Sequence, residues 1–164
     1  MRCGTIGVAM CLDQTFFRAL ILLTAAACAS AVQAAPCNTV ARPLTVTATA
    51  LNFGTYNPST ADTANMTVTV SCVIGGDTLP AFVATLSRGS SPTYTPRTML
   101  SGANTLNYNI YNQAAFTTIW GDGTGGTLTR PYGGGGGSAA GTGFGQIPAG
   151  QYVNPGAYTD TITV

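Results

Sequence analysis

The 164-residue sequence predicts an all-β domain, a sandwich of Ig-like size. Apolar residues recur with a period of two rather than about 3.6. Glycine, proline and asparagine clusters interrupt these runs at short intervals. Past residue 34 no stretch carries the apolar stripe of an amphipathic helix.

Ahead of the domain, residues 1–34 read as a secretory leader. Arg2 and Arg18 precede an apolar run over residues 19–27, and the small-residue signature Val32-Gln33-Ala34 makes Ala35 the new N-terminus. The run is too short for a membrane anchor, and Met10 is an alternative start. Cys28 as a lipidated cysteine is the weaker reading, because Ala25-Ala26-Ala27 lacks the leucine expected three positions upstream. The domain is then residues 35–164, about 130 residues, enough for one core.

Cys3, Cys11 and Cys28 leave with the leader, so Cys37 and Cys72 remain in an oxidising compartment and are expected to pair. Closing that loop removes roughly 4 kcal/mol of unfolded-state freedom in the chain-entropy picture. The alternative is two free buried thiols.

Taken in order, Leu44-Thr45-Val46-Thr47-Ala48-Thr49-Ala50 alternates strictly, one face for a core and one for water. Met66-Thr67-Val68-Thr69-Val70-Ser71-Cys72 repeats the pattern with Cys72 facing inward. Residues 81–86, 106–111 and 158–164 are further strands; Asp160 interrupts the alternation of the last. Turns fall at Gly54-Thr55-Tyr56-Asn57-Pro58, Gly75-Gly76-Asp77, Ser90-Ser91-Pro92 and Gly121-Asp122-Gly123. The glycine-rich residues 132–141 read as a flexible loop. A phosphate cradle would need a following Gly-Lys-Ser/Thr, and the chain has no lysine.

Past residue 34, Arg42, Arg88, Arg97 and Arg130 balance Asp62, Asp77, Asp122 and Asp160. A surface so poor in cations does not attract nucleic acid or anionic lipid, and its neutrality favours self-association. With no histidine there is neither a Ser/His/Asp relay nor a histidine metal site. The four aspartates lie in or near turns rather than as a hydrolytic pair, and Asp122 alone is a poor calcium ligand set. These residues predict no enzyme, no cofactor and no metal.

Several pieces, in order, resemble the spore coat protein U domain family, shared with subunits of archaic Csu-type chaperone–usher pili. They are Cys37, Phe53-Gly54-Thr55-Tyr56-Asn57-Pro58, Val70-Ser71-Cys72, Arg97-Thr98-Met99-Leu100 and Leu106-Asn107-Tyr108-Asn109-Ile110-Tyr111. Trp120-Gly121-Asp122-Gly123, Phe144-Gly145-Gln146-Ile147-Pro148-Ala149 and the run from Gly156 through Tyr158 to Val164 complete them. The resemblance implies an incomplete Ig-like sandwich that lacks its final strand and leaves a hydrophobic groove. A periplasmic chaperone fills such a groove first; an outer-membrane usher then mediates its replacement by a strand of the neighbouring subunit. The expected lining is Tyr158, Ile162 and Val164 facing Leu44, Val46 and Ala48.

On this resemblance the chain is a structural subunit or tip adhesin of a surface pilus or coat. It reaches the cell surface through the periplasm, without membrane insertion or nucleic-acid partner. Only Ala35 and Pro36 separate the expected cleavage point from Cys37, which fits a strand receiver, such as a tip subunit, better than a donor. Tyr94, Trp120, Tyr132 and Phe144 would then present hydrophobic contacts from loops; the plainer reading packs them on the sandwich rim. The alternatives are a spore or cyst coat protein, and a self-contained carbohydrate-binding sandwich in which Trp120 and nearby tyrosines stack on sugars.

Overall fold

The computed structural model describes residues 34–37 and 39–164, so the leader expectation for residues 1–33 lies outside the described residues. The strands are β1 (Leu44–Ala48), β2 (Asp62–Cys72), β3 (Phe82–Ala84), β4 (Arg97–Ser101), β5 (Asn104–Tyr111), β6 (Arg130–Tyr132) and β7 (Ser138–Ile147). Five form an antiparallel sheet in the order β1-β2-β7-β5-β4, while β3 and β6 pair separately. The core is buried on one face of the larger sheet: Met66 and Val68 from β2, Leu106, Tyr108 and Ile110 from β5, and Ile147 from β7. Ala84, Leu86 and Trp120 pack over them.

The alternating runs form strands as their pattern requires. Leu44, Val46 and Ala48 lie opposite Cys72, Val70 and Val68. Cys37 and Cys72 are joined by a disulfide, Cα atoms 5.5 Å apart. It sits in a second cluster with Val70 and Leu79, and Cys37 is wholly buried.

The glycine-rich stretch differs from the flexible loop expected of it. Leu79 donates to the Gly136 carbonyl and receives the Gly135 amide, and Cys72 donates to Gly137. Backbone bonding to two neighbours holds this tract without help from side chains. The chain then enters β7, a central strand that the sequence reading left unassigned. In β7 every second residue over Gly141, Gly143 and Gly145 is buried. A Cβ on Gly143 would lie 2.9 Å from Met66 Cγ and 3.3 Å from the Trp120 ring. One on Gly145 would lie 2.6 Å from Leu51 and 2.8 Å from Phe53. The missing side chains let the second layer press directly onto this strand. Hydrophobic periodicity cannot detect a strand whose core face is bare backbone.

Candidate functional site

Two extended stretches face each other across the core side of the sheet. After Thr49, whose amide bonds Thr67, the chain leaves β2. Leu51 and Phe53 then turn inward onto the core. The Tyr56 hydroxyl donates to the Pro148 carbonyl (2.8 Å) and accepts from the Gln151 amide (3.1 Å), which pins the end of this wall. Among the described residues, no backbone group of residues 50–56 bonds another backbone group.

The opposite wall is residues 157–164. Thr159 exchanges two backbone bonds with Leu100 of β4 (2.8 and 3.0 Å), and the Thr163 carbonyl accepts from Ser87 (2.9 Å). Backbone groups alternate direction along an extended chain, so those of Asp160 and Ile162, and of Val164 after Thr163, are turned towards the first wall. The alternation of residues 158–164 predicts a strand. The chain is extended there with alternating exposure, but it is bonded on one side, so among the described residues its ladder is a single bridge at Thr159. Between the walls lies a cavity of about 1020 Å³, floored by Met66, Leu106, Tyr108, Ile110 and Ile147. Such a trench has apolar side-chain pockets below and unpaired main-chain groups on both rims. Its floor and rims have the form that suits an extended polypeptide one strand wide.

Of the expected lining residues, Ala48, Tyr158, Ile162 and Val164 border this cavity. Leu44 and Val46 do not. They face the core side of the sheet beside Val70 and Cys72. They are nevertheless 38% and 46% exposed, because β1 is an edge strand that runs away from the trench mouth. Leu51 and Phe53, absent from the expected set, supply the wall instead.

Asp160 is a site residue that sequence reasoning passed over as a break in the alternation. Its carboxylate accepts from the Tyr108 hydroxyl (2.7 Å), from the Ser90 amide (2.8 Å) and from the Ser90 hydroxyl (2.9 Å). It therefore clamps the second wall to the floor and to the loop after Ser87. Burial, then the bond to Asp160, pushes the Tyr108 hydroxyl well above its ordinary range. The period of two could have found it, since an inward carboxylate between Tyr158 and Ile162 needs donors beneath it.

Arg97, wholly buried, is a second omission. It donates to the carbonyls of Ser87 and Trp120 and to Asn109 Oδ1 at 2.8–3.0 Å, with the Tyr94 ring 5.0 Å away. Burial lowers its pKa. It joins β4, β5 and the chain after β3 into one unit.

None of the four aromatics stands out from a loop as a free contact; each packs against the domain. Trp120 is fully buried and donates to the Ala84 carbonyl (3.1 Å), so it is closed to sugars. Tyr94 is buried and donates to the Leu86 carbonyl (3.0 Å). Tyr132 belongs to β6 and stacks on Phe82 at 4.8 Å. Phe144 belongs to β7, opposite Asn65 and Tyr111 on the face away from the core. Rings of this size are drawn to apolar neighbours wherever the fold offers them. Asp122 accepts from the Thr124 hydroxyl (2.6 Å) and amide (2.9 Å), a turn in which these bonds hold its carboxyl below the usual range. Among the described residues no three potential ligands gather as a metal site.

The model of the family described as Spore Coat Protein U domain matches residues 23–164. Among solved structures, the chain is similar to a chaperone–tip adhesion subunit pre-assembly complex from the archaic chaperone–usher Csu pili of Acinetobacter baumannii. The TM-score is 0.50 at 20% identity, covering 74% of this chain and 38% of that one. The likeness is one of fold, and the chain spans well under half the length of that structure's chain. No curated protein matched.

Proposed function

The chain belongs to the Spore Coat Protein U domain family, and from that premise we propose that it is a subunit of a surface pilus assembled by the chaperone–usher route. Its trench receives a strand from another polypeptide. The observation that carries this reading is the pair of one-sided walls around a cavity of about 1020 Å³. Burying an apolar floor under an inserted strand, while pairing the backbone groups of residues 50–56 and 158–164, satisfies both demands at once. Periplasmic chaperone, outer-membrane usher and neighbouring subunit are the successive partners, and the chain passes through the periplasm to the cell surface. As tip or shaft subunit its part is mechanical and adhesive, with no reaction to catalyse.

The test is export with and without the cognate chaperone. Without it the chain is expected to aggregate or be degraded. With it, or with an alternating apolar peptide joined by a linker after Val164, a soluble oxidised domain is expected. A sharp, reversible melt of the lone monomer would overturn the proposal. The family description favours one further setting, a spore or cyst coat, built by the same strand exchange. Surface filaments in electron micrographs, lost on deletion, select the pilus.

A further inference from the structure

Residues 35–37 pair in parallel with the chain that follows β2. The Cys37 amide donates to the Thr78 carbonyl (3.0 Å) and the Thr78 amide donates to the Ala35 carbonyl (2.9 Å). Pro36 therefore lies opposite Thr78. The parallel register then sets Cys37 beside Leu79 and Ala35 beside Asp77, each pair on a common face. Packing agrees for the first pair, since Cys37 and Leu79 share one buried cluster.

The second pair brings Ala35 next to a carboxylate whose side chain is only 4% exposed. Asp77 Oδ1 takes the Arg42 guanidinium, while Oδ2 bonds nothing among the described residues. Buried carboxylate oxygens are ordinarily supplied with donors. In extended backbone a residue's own N–H points to the same side as its carbonyl, so the nitrogen of Ala35 faces residues 76 and 77.

We propose that Asp77 is the docking site for the α-ammonium group created at Ala35 when the leader is removed. A peptidase adds water across the Ala34–Ala35 amide; the C–N bond breaks, Ala34 keeps a carboxylate and Ala35 gains a protonated amine. The Arg42–Asp77 pair thereby becomes a three-membered cluster that fastens residues 35–37 beside the disulfide. Processing thus completes the fold at this end. The inference rests on cleavage after Ala34, not on the pilus reading, and holds whichever partner fills the trench.

Composition makes the test direct. The sequence has no lysine, so this ammonium is the sole primary amine of residues 35–164. The full precursor is exported with its chaperone, the processed chain is recovered, its start is read by mass spectrometry, and its amine is acetylated with an N-hydroxysuccinimide ester. A start at Ala35 is expected, with acetylation at pH 7 about 10-fold slower than in the same chain unfolded in urea, the equivalent of one pKa unit. Asp77→Asn is expected to recover most of that factor with the disulfide still formed. Should that variant not fold, the pH profile of the unsubstituted chain decides: its midpoint is expected at about 9 or above, against about 8 in urea. A mature start elsewhere, or equal midpoints in the folded and unfolded chain, overturns the proposal.

Discussion

Where β3 and β6 cover the sheet, Trp120, Arg97 and Leu86 are almost wholly removed from water, and the guanidinium is met by three acceptor groups. Where residues 50–56 and 158–164 face each other, a cavity of about 1020 Å³ separates the walls; among the described residues the first wall makes no backbone–backbone bonds and the second is bonded on one side. Both regions stand on the same strands, β2, β5 and β7, and draw on the same kinds of residue. The difference shows that closure is local. One flank carries the chain's own stability, while the other leaves apolar area and main-chain groups open, as the proposed strand exchange requires.

Substitutions should therefore separate by flank. The largest effect is expected from Trp120→Ala or Arg97→Met on the closed side, each costing about 3–5 kcal/mol through a cavity or through stranded acceptors. That is a large part of a domain's marginal stability, and the yield of oxidised chain, even with chaperone, should fall to near nothing. Wild-type yield from either variant would show that the closed flank is not the supporting one. Gly143→Val tests the bare face of β7: its side chain meets Met66, Ile110 and Trp120. Overpacking should cost about 1–3 kcal/mol, read as a lower urea midpoint of the chaperone-bound or peptide-completed domain.

Alkaline pH probes the clamp between floor and wall. Burial first, and the Asp160 bond second, raise the Tyr108 pKa in the fold above its ordinary 10.0. A raised folded value gives stability that is complete below the unfolded pKa and is lost as pH climbs from there towards the folded value. The urea midpoint should therefore hold to about pH 10 and decline above it. Tyr108→Phe should flatten that decline. The smallest effect on the chain itself is expected from Ile162→Asp, about 0.5 kcal/mol or less, because the residue borders an open cavity. Its consequence belongs to the partner: chaperone co-purification should drop at least about 10-fold, some 1.4 kcal/mol of lost binding. A variant that unfolds instead, yet still captures chaperone, would erase the distinction between the flanks.

Much of the fold was legible where apolar residues alternate with threonine or asparagine. β1, β2 and β5 follow from their own residues, and the disulfide from the parity of cysteines left after the leader. The inward alternation of Tyr158 and Ile162 was legible too, although the ladder it suggested is half made. β7 was not legible, because three glycines at alternate positions carry no hydrophobic signal and gain their order from the strands on either side. The aromatics read as surface residues, in loops or on the rim, for a related reason. A Gly-Asp-Gly turn beside Trp120 announces a surface, but the indole is long enough to reach the core from it. Arg97 was hidden by its type, since a charged residue reads as outward until its acceptors are seen, whereas the alternation of Tyr158 and Ile162 already set Asp160 inward.

The bare strand β7 has a consequence for how the protein comes to be folded. Its partners β2 and β5 are both far upstream in the chain, and its own residues carry little preference for an extended conformation. High contact order of this kind makes folding slow. Until β7 is in place, β2 and β5 would present hydrophobic edges with no central strand between them, a kind of species prone to aggregate. The proposed chaperone would then answer a need set by topology while the chain is still collapsing.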